Sequence, residues 1–184
     1  MFAILYHQKS KKMDTIAFER KSFYTRLIWL FPIIFVFHIT EESNGFPQWA
    51  TNVLGGQFSG MPFLVNNSIF MLINIACCYL AMKTQKSWTV FILFFWEAAQ
   101  EFWNFVFHVY CQFQFNTYSP GLFTAIFLYF PVFFYLSYLC LRDKHLSWQL
   151  WLTAFITSTS ALVLVTWGGL YHFGHISFDK WIPK

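Results

Sequence analysis

Five stretches of this sequence, residues 27–40, 63–82, 88–112, 121–141 and 149–172, are each almost continuously apolar. About 20 such residues, coiled as an α-helix, span the hydrocarbon layer of a bilayer. In lipid a backbone must satisfy its own N–H and C=O groups, which leaves helices and closed barrels, and unbroken rather than alternating apolarity selects helices. The expected fold is all-α, a polytopic membrane bundle of about five transmembrane helices. Composition agrees: 57% of residues are hydrophobic, 24% aromatic and only 11% charged, whereas a soluble domain carries roughly a quarter of its residues charged.

The formal charge of +4 comes from twelve Lys and Arg set in short clusters between the apolar runs. No basic stripe lies along a helix, so nucleic acid is not an expected partner; the clusters read as topology signals. Lys9, Lys11, Lys12, Arg20, Lys21 and Arg26 precede the first run, Lys83 and Lys86 separate the second and third, and Arg142, Lys144 and His145 separate the fourth and fifth. Segments 43–62 and 111–121 contain no Lys or Arg. These facts predict a cytoplasmic amino terminus and an outside carboxyl terminus; only Lys180 and Lys184 in the tail dissent.

The expected organisation is a basic cytoplasmic arm over 1–26, a single transmembrane helical domain over 27–172 and a short tail over 173–184. The first run lacks a small-residue cleavage site and reads as a retained helix. Gly45, Pro47, Gly55, Gly56 and Gly60 mark 43–62 as a loop, with a short interfacial segment around Trp49. Cys77, Cys78, Cys111 and Cys140 form no CxxC pair and read as small buried apolar residues. No internal repeat favours an inverted-repeat transporter.

The chemistry lies in ionisable residues inside the apolar runs. Glu97, Glu101, Asn104 and His108 occur at spacings of four, three and four, one face of an α-helix. His38, Glu41 and Glu42 share a face in the same way. At ~1.5 Å per residue from the cytoplasmic ends, His38 lies about 18 Å across, Glu101 about 21 Å and Glu42 about 24 Å, so the two stripes reach similar depth in the outer half of the membrane. An acidic side chain there costs a few kcal/mol unless it is protonated, paired or bound to a cation, and Glu97 and Glu101 would repel if both were ionised without one.

Imidazole with carboxylate suits a divalent metal such as zinc, iron or manganese, and bundle metal sites draw ligands from facing helices in this way. The expected ligands are His38, Glu41, Glu42, Glu101 and His108; Glu97 and Tyr118 join them in the wider catalytic set. The bland alternative is that these groups hydrogen-bond to one another and hold helices together. Asn66 and Asn74, eight apart, share a helix face and read first as interhelical contacts. In Tyr118-Ser119-Pro120-Gly121 the proline and glycine have an ordinary use at a helix start, and Tyr118 lies on the same outer side as His108. His172 and His175 read as interfacial residues.

His38-Ile39-Thr40-Glu41-Glu42, then Gly45-Phe46-Pro47-Gln48-Trp49, the later His108 and Tyr118-Ser119-Pro120-Gly121, resembles the HXXEE-domain family of prokaryotic membrane proteins over residues 27–135. The last element stands where that family has YXPG. The resemblance implies a polytopic membrane domain, in a prokaryotic inner membrane, whose motif residues gather at one site: His38, Glu41, Glu42, His108 and Tyr118. The family's function is unknown, and the resemblance adds nothing about Glu97.

The leading functional expectation is a membrane-embedded enzyme, surrounded by membrane lipids and acting on a lipid or other apolar substrate. In a metal version the histidines and glutamates are ligands and a remaining carboxylate is a general base toward bound water. In a metal-free version one glutamate protonates a double bond while a histidine or second carboxylate removes a proton, giving isomerisation or cyclisation. A small proton- or ion-coupled transporter or channel is the alternative from a different class, and a structural or assembly protein is the third.

Overall fold

A computed structural model describes residues 24–57 and 60–165. The chain forms helices α1 (Leu30–Ser43), α2 (Phe46–Trp49), α3 (Gly60–Thr84), α4 (Ser87–Glu97), α5 (Trp103–Phe115), α6 (Leu122–Thr124), α7 (Phe130–Arg142) and α8 (Trp148–Val165). Of three π turns, π1 (Ala50–Leu54) closes α2, π2 (Ala98–Phe102) joins α4 to α5 and π3 (Ala125–Tyr129) joins α6 to α7. No strand occurs among the described residues. The expected all-α bundle is therefore present.

Among the described residues, three helical stretches are long and apolar enough to cross a membrane: Tyr24–Ser43, Gly60–Thr84 and Leu122–Arg142. This fits an integral membrane protein. Two of the five expected spans are not among them. The rod α4–π2–α5 has the length, but Glu97, Gln100, Glu101 and Asn104 interrupt its apolarity, and the apolar part of α8, Trp148–Leu164, is shorter. The amino-terminal arm up to residue 23, the stretch 166–184 with His172, His175, Lys180 and Lys184, and so the whole 173–184 tail, lie outside the described residues.

The rod α4–π2–α5 is the hub, touching α3, α6, α7 and α8, while α1 lies against α3, α6 and α7. Its apolar packing centres on Ile28, Phe31, Cys78, Leu93, Phe94, Phe133, Leu136 and Cys140. All four cysteines are free and buried, as their setting predicted. Pro32 in α1 has no N–H to give the Ile28 carbonyl four residues back; the Cys78 thiol donates to that carbonyl at 3.4 Å. Meanwhile Ile33, Phe37, Leu64, Leu72, Phe127 and Leu164 face outward and exposed. Large apolar side chains exposed over so much of the exterior depart from the soluble pattern and suit lipid.

The expected loop at 43–62 is largely helical. Phe46–Trp49 and the adjoining π turn pack Phe46, Trp49 and Leu54 into a small core with Phe63 and Cys111. Gly55 ends the π turn in the left-handed region at φ 82, a conformation glycine adopts without strain.

Candidate functional site

His38 lies in α1, and Glu42 comes one turn later on the same face. His108 arrives from α5. All three side chains are buried, and each offers a ligand atom within 4.8 Å of the others. Glu42 Oε1 lies 3.5 Å from His38 Nε2 and 3.2 Å from His108 Nε2, yet neither Nε2 makes a hydrogen bond. Two imidazole nitrogens without hydrogen-bond partners and a carboxylate oxygen thus converge.

The opposite ring nitrogens are anchored. His38 Nδ1 lies 2.8 Å from Thr124 Oγ1, and His108 Nδ1 lies 2.8 Å from Ser119 Oγ. The Thr124 hydroxyl donates its one proton to Glu41 Oε2 at 2.6 Å, so it must accept from His38 Nδ1–H. This chain of donation fixes the His38 tautomer and leaves Nε2 as the basic nitrogen, the arrangement that metal-bound histidines use.

Glu41 has a different task from Glu42. It accepts hydrogen bonds from the backbone N–H groups of Gly121 at 3.0 Å, Phe123 at 3.2 Å and Thr124 at 2.8 Å, and from the Tyr118 hydroxyl. These N–H groups open the helix that begins at Leu122 and have no intrahelical partner; the carboxylate satisfies them and sits at the positive end of the helix dipole. Glu41 clamps α1 to α6. The Tyr118 phenol, in the loop before α6, is pushed up to about 12 by partial burial and by the hydrogen bond it donates to Glu41.

Gly121 roofs the histidine pair. Its φ of +103 suits glycine, and a Cβ there would lie 2.6 Å from His108 Cε1 and 2.9 Å from His38 Cε1. Helix α6 begins at Leu122, so Pro120 stands before the cap residue rather than at a first helical position; it packs against Gly45.

The acidic pair of the third run stands apart from this group. Glu97 and Glu101 are 0% and 1% exposed. Glu97 Oε2 accepts from Asn74 Nδ2 at 3.5 Å, while Glu97 Oε1 and both Glu101 oxygens have no hydrogen-bond partner. Tyr129 adjoins both clusters, its ring 4.3 Å from that of His38 and its hydroxyl within electrostatic reach of Glu101, Glu42 and Glu97.

Of the residues singled out from the sequence, the structure groups His38, Glu42 and His108, pairs Glu41 with Tyr118, and pairs Glu97 with Glu101. Asn74 joins the acidic pair, and Asn66 lies half-buried further along α3. Sequence reasoning passed over Thr124 and Tyr129 and gave Ser119 no role. Ser119 was detectable inside the motif; Thr124 and Tyr129 carry no local signal.

The family described as "Protein of unknown function with HXXEE motif" matches residues 29–136, more than half of the chain. No curated protein and no solved structure matches it.

Proposed function

The chain belongs to the HXXEE-motif family, and from that premise we propose that it is an integral membrane enzyme acting on a lipid or other apolar substrate through a divalent metal held by His38, Glu42 and His108. The observation that carries this reading is the convergence of two uncommitted Nε2 atoms and a carboxylate oxygen, with one imidazole held in its metal-binding tautomer through Thr124 and Glu41. Two histidines and one carboxylate suit zinc, iron or manganese and leave coordination positions open. When bound, such a metal activates water or polarises a substrate oxygen.

The protein's own residues supply the rest. Ser119 and Thr124 orient the rings, Gly121 gives the backbone close approach, and the buried walls exclude bulk water. The exposed rings of Tyr118, Phe123 and Phe127 lie on the loop and helix beside the site, and an apolar substrate arriving from the bilayer would meet them first. We place five crossings in the membrane by counting α4–π2–α5 and α8, with Lys83, Lys86, Arg142 and Lys144 on the cytoplasmic side and the site in the outer half.

Elemental analysis of the full chain in detergent, with and without His108→Ala, tests the reading. Stoichiometric metal that falls in the variant is expected. Metal absent from the wild type, or unchanged in a folded variant, would overturn it. The ion-coupled transporter reading draws on the buried Glu97 and Glu101; proteoliposomes that carry no ion or proton flux under a gradient would eliminate it.

A further inference from the structure

The Glu97–Glu101 pair calls for its own explanation. Both carboxyls are fully enclosed, no Lys or Arg partners either one among the described residues, and three of their four oxygens accept no hydrogen bond. The fourth is held from outside. Asn74 Nδ2 donates to Glu97 Oε2 at 3.5 Å, and Asn74 Oδ1 lies 3.5 Å from the Cys78 sulfur. A carboxylate that receives an amide N–H is held in orientation as an acceptor. A carboxyl enclosed in an apolar interior is neutralised either by a proton or by a bound cation.

Tyr129 provides an independent pointer. It is wholly buried, its hydroxyl has no hydrogen-bond partner, and it comes from π3, which touches π2, the turn that carries Glu101. That hydroxyl lies within electrostatic reach of Glu101, Glu42 and Glu97, so it borders both clusters. Asn104, one turn beyond Glu101, has an unpartnered Oδ1 as well.

We infer that Glu97, Glu101 and Tyr129 form a second, oxygen-only site for a hard divalent cation, distinct from the His38–Glu42–His108 group that the Tyr129 ring adjoins. Two carboxylates balance a divalent charge, and a donor set of oxygens without nitrogen or sulfur suits magnesium, manganese or calcium. Glu97 is a ligand held by Asn74, Glu101 is a ligand with both oxygens free, and Tyr129 closes the side facing the histidines. The inference stands without the histidine-centred reading, since it uses none of that group's residues as ligands.

The test is a Mn2+ titration of the chelator-stripped full chain in lipid nanodiscs, read by electron paramagnetic resonance. The wild type should take up two equivalents. Glu97→Gln and Glu101→Gln should each take up one, and His108→Ala should also take up one, from the other site. Binding at the acidic pair should abolish any carboxylic-acid C=O stretch that the metal-free protein shows in the infrared. Two equivalents in folded Glu97→Gln and Glu101→Gln would overturn the inference. So would a single wild-type equivalent lost in His108→Ala, which leaves the histidine centre standing. Uptake that falls in the Gln variants and is indifferent to His108→Ala supports the oxygen site and sinks the histidine centre instead. A carboxylic-acid band persisting at saturating Mn2+ means that protons alone neutralise the pair, and overturns the inference. Should neither Gln variant fold, the count in His108→Ala decides: an equivalent that survives there supports the site, and none surviving overturns it.

Discussion

Replacing Gly121 with alanine adds one methyl group directly above the histidine pair. The new Cβ would lie 2.6 Å from His108 Cε1, 2.8 Å from His108 Nε2 and 2.9 Å from His38 Cε1, where 3.4 Å is an ordinary contact. Relief requires the His108 ring to retreat by about 0.8 Å, the shortfall between 2.6 and 3.4 Å, which exceeds the ~0.5 Å within which a site must be held. The rings have little freedom to do so, because Ser119 and Thr124, the residues that anchor them, flank Gly121 on the same loop and helix start. The φ of +103 adds backbone strain on the order of 1–3 kcal/mol for a residue with a side chain. Gly45→Ala is the internal control: its backbone is extended at φ −179 and its added Cβ meets only Pro120, no closer than 3.4 Å. Expected in detergent are a lower melting temperature for Gly121→Ala than for Gly45→Ala, and a fall in metal affinity at the histidine centre of about 100-fold or more, beyond the ~10–100-fold typical of losing a supporting hydrogen bond. Isothermal titration with zinc and a thermal melt read both quantities. Wild-type affinity together with a melt no lower than that of Gly45→Ala would refute the claim that Gly121 sets the approach to the rings.

Other changes separate the roles of neighbouring residues. Thr124→Val keeps the shape but removes the hydroxyl between His38 and Glu41; metal affinity should fall ~10–100-fold while Thr124→Ser retains it, and equal affinity in the Val variant would refute the tautomer argument. Glu41→Gln weakens the clamp on the start of α6 and should cost about 1.5–3 kcal/mol in a denaturation series, the range for one hydrogen bond to a charged group, while metal stoichiometry persists; an unchanged melt would contradict the clamp. Tyr118→Phe removes a phenol whose value in the folded chain lies above its ordinary 10, at about 12. Because the folded value is the raised one, the stabilisation is complete below pH 10 and is lost as pH rises toward 12. The melting difference between wild type and Tyr118→Phe should therefore be constant from pH 7 to about 9 and shrink above 10; a difference that grows with pH would reverse the assignment.

Much of this was legible in the chain because lipid leaves few choices. Apolar run length located the helices, and the cost of burying charge marked His38, Glu42, Glu97, Glu101 and His108 as interior residues, which they are. The similar depth of His38, Glu42 and Glu101 anticipated a meeting of α1 with the third run, but the residue that joins His38 and Glu42 is His108, two turns beyond Glu101, which is not in that group. The division of labour between Glu41 and Glu42 was not legible. Adjacent residues on a helix point about 100° apart, so one faces the histidines while the other faces the opening turn of α6, some 80 residues later in the chain. Thr124, 86 residues from His38, bonds to it through tertiary packing alone, and no local pattern encodes that.

The splitting of the polar stripe has a more local cause. In an uninterrupted α-helix Glu97, Glu101, Asn104 and His108 form one row, and a single site at their meeting with α1 is the natural expectation. The turn Ala98–Phe102 is instead a π turn. One extra residue in a turn rotates everything downstream by about 100°, the angle one residue occupies at ~3.6 per turn. Upstream of it Glu97 faces Asn74 on α3, and downstream His108 faces His38 and Glu42 on α1. A second π turn, Ala125–Tyr129, ends on the residue whose ring lies 4.3 Å from that of His38. Nothing in the residue types Ala98-Ala99-Gln100-Glu101-Phe102 requires this wider turn over an α turn. Packing does, because Ala98 and Ala99 are buried against neighbouring helices, where small side chains allow the backbone the close approach that a widened turn needs. One row of residues thereby serves two polar clusters, one nitrogen-rich and one built of oxygen.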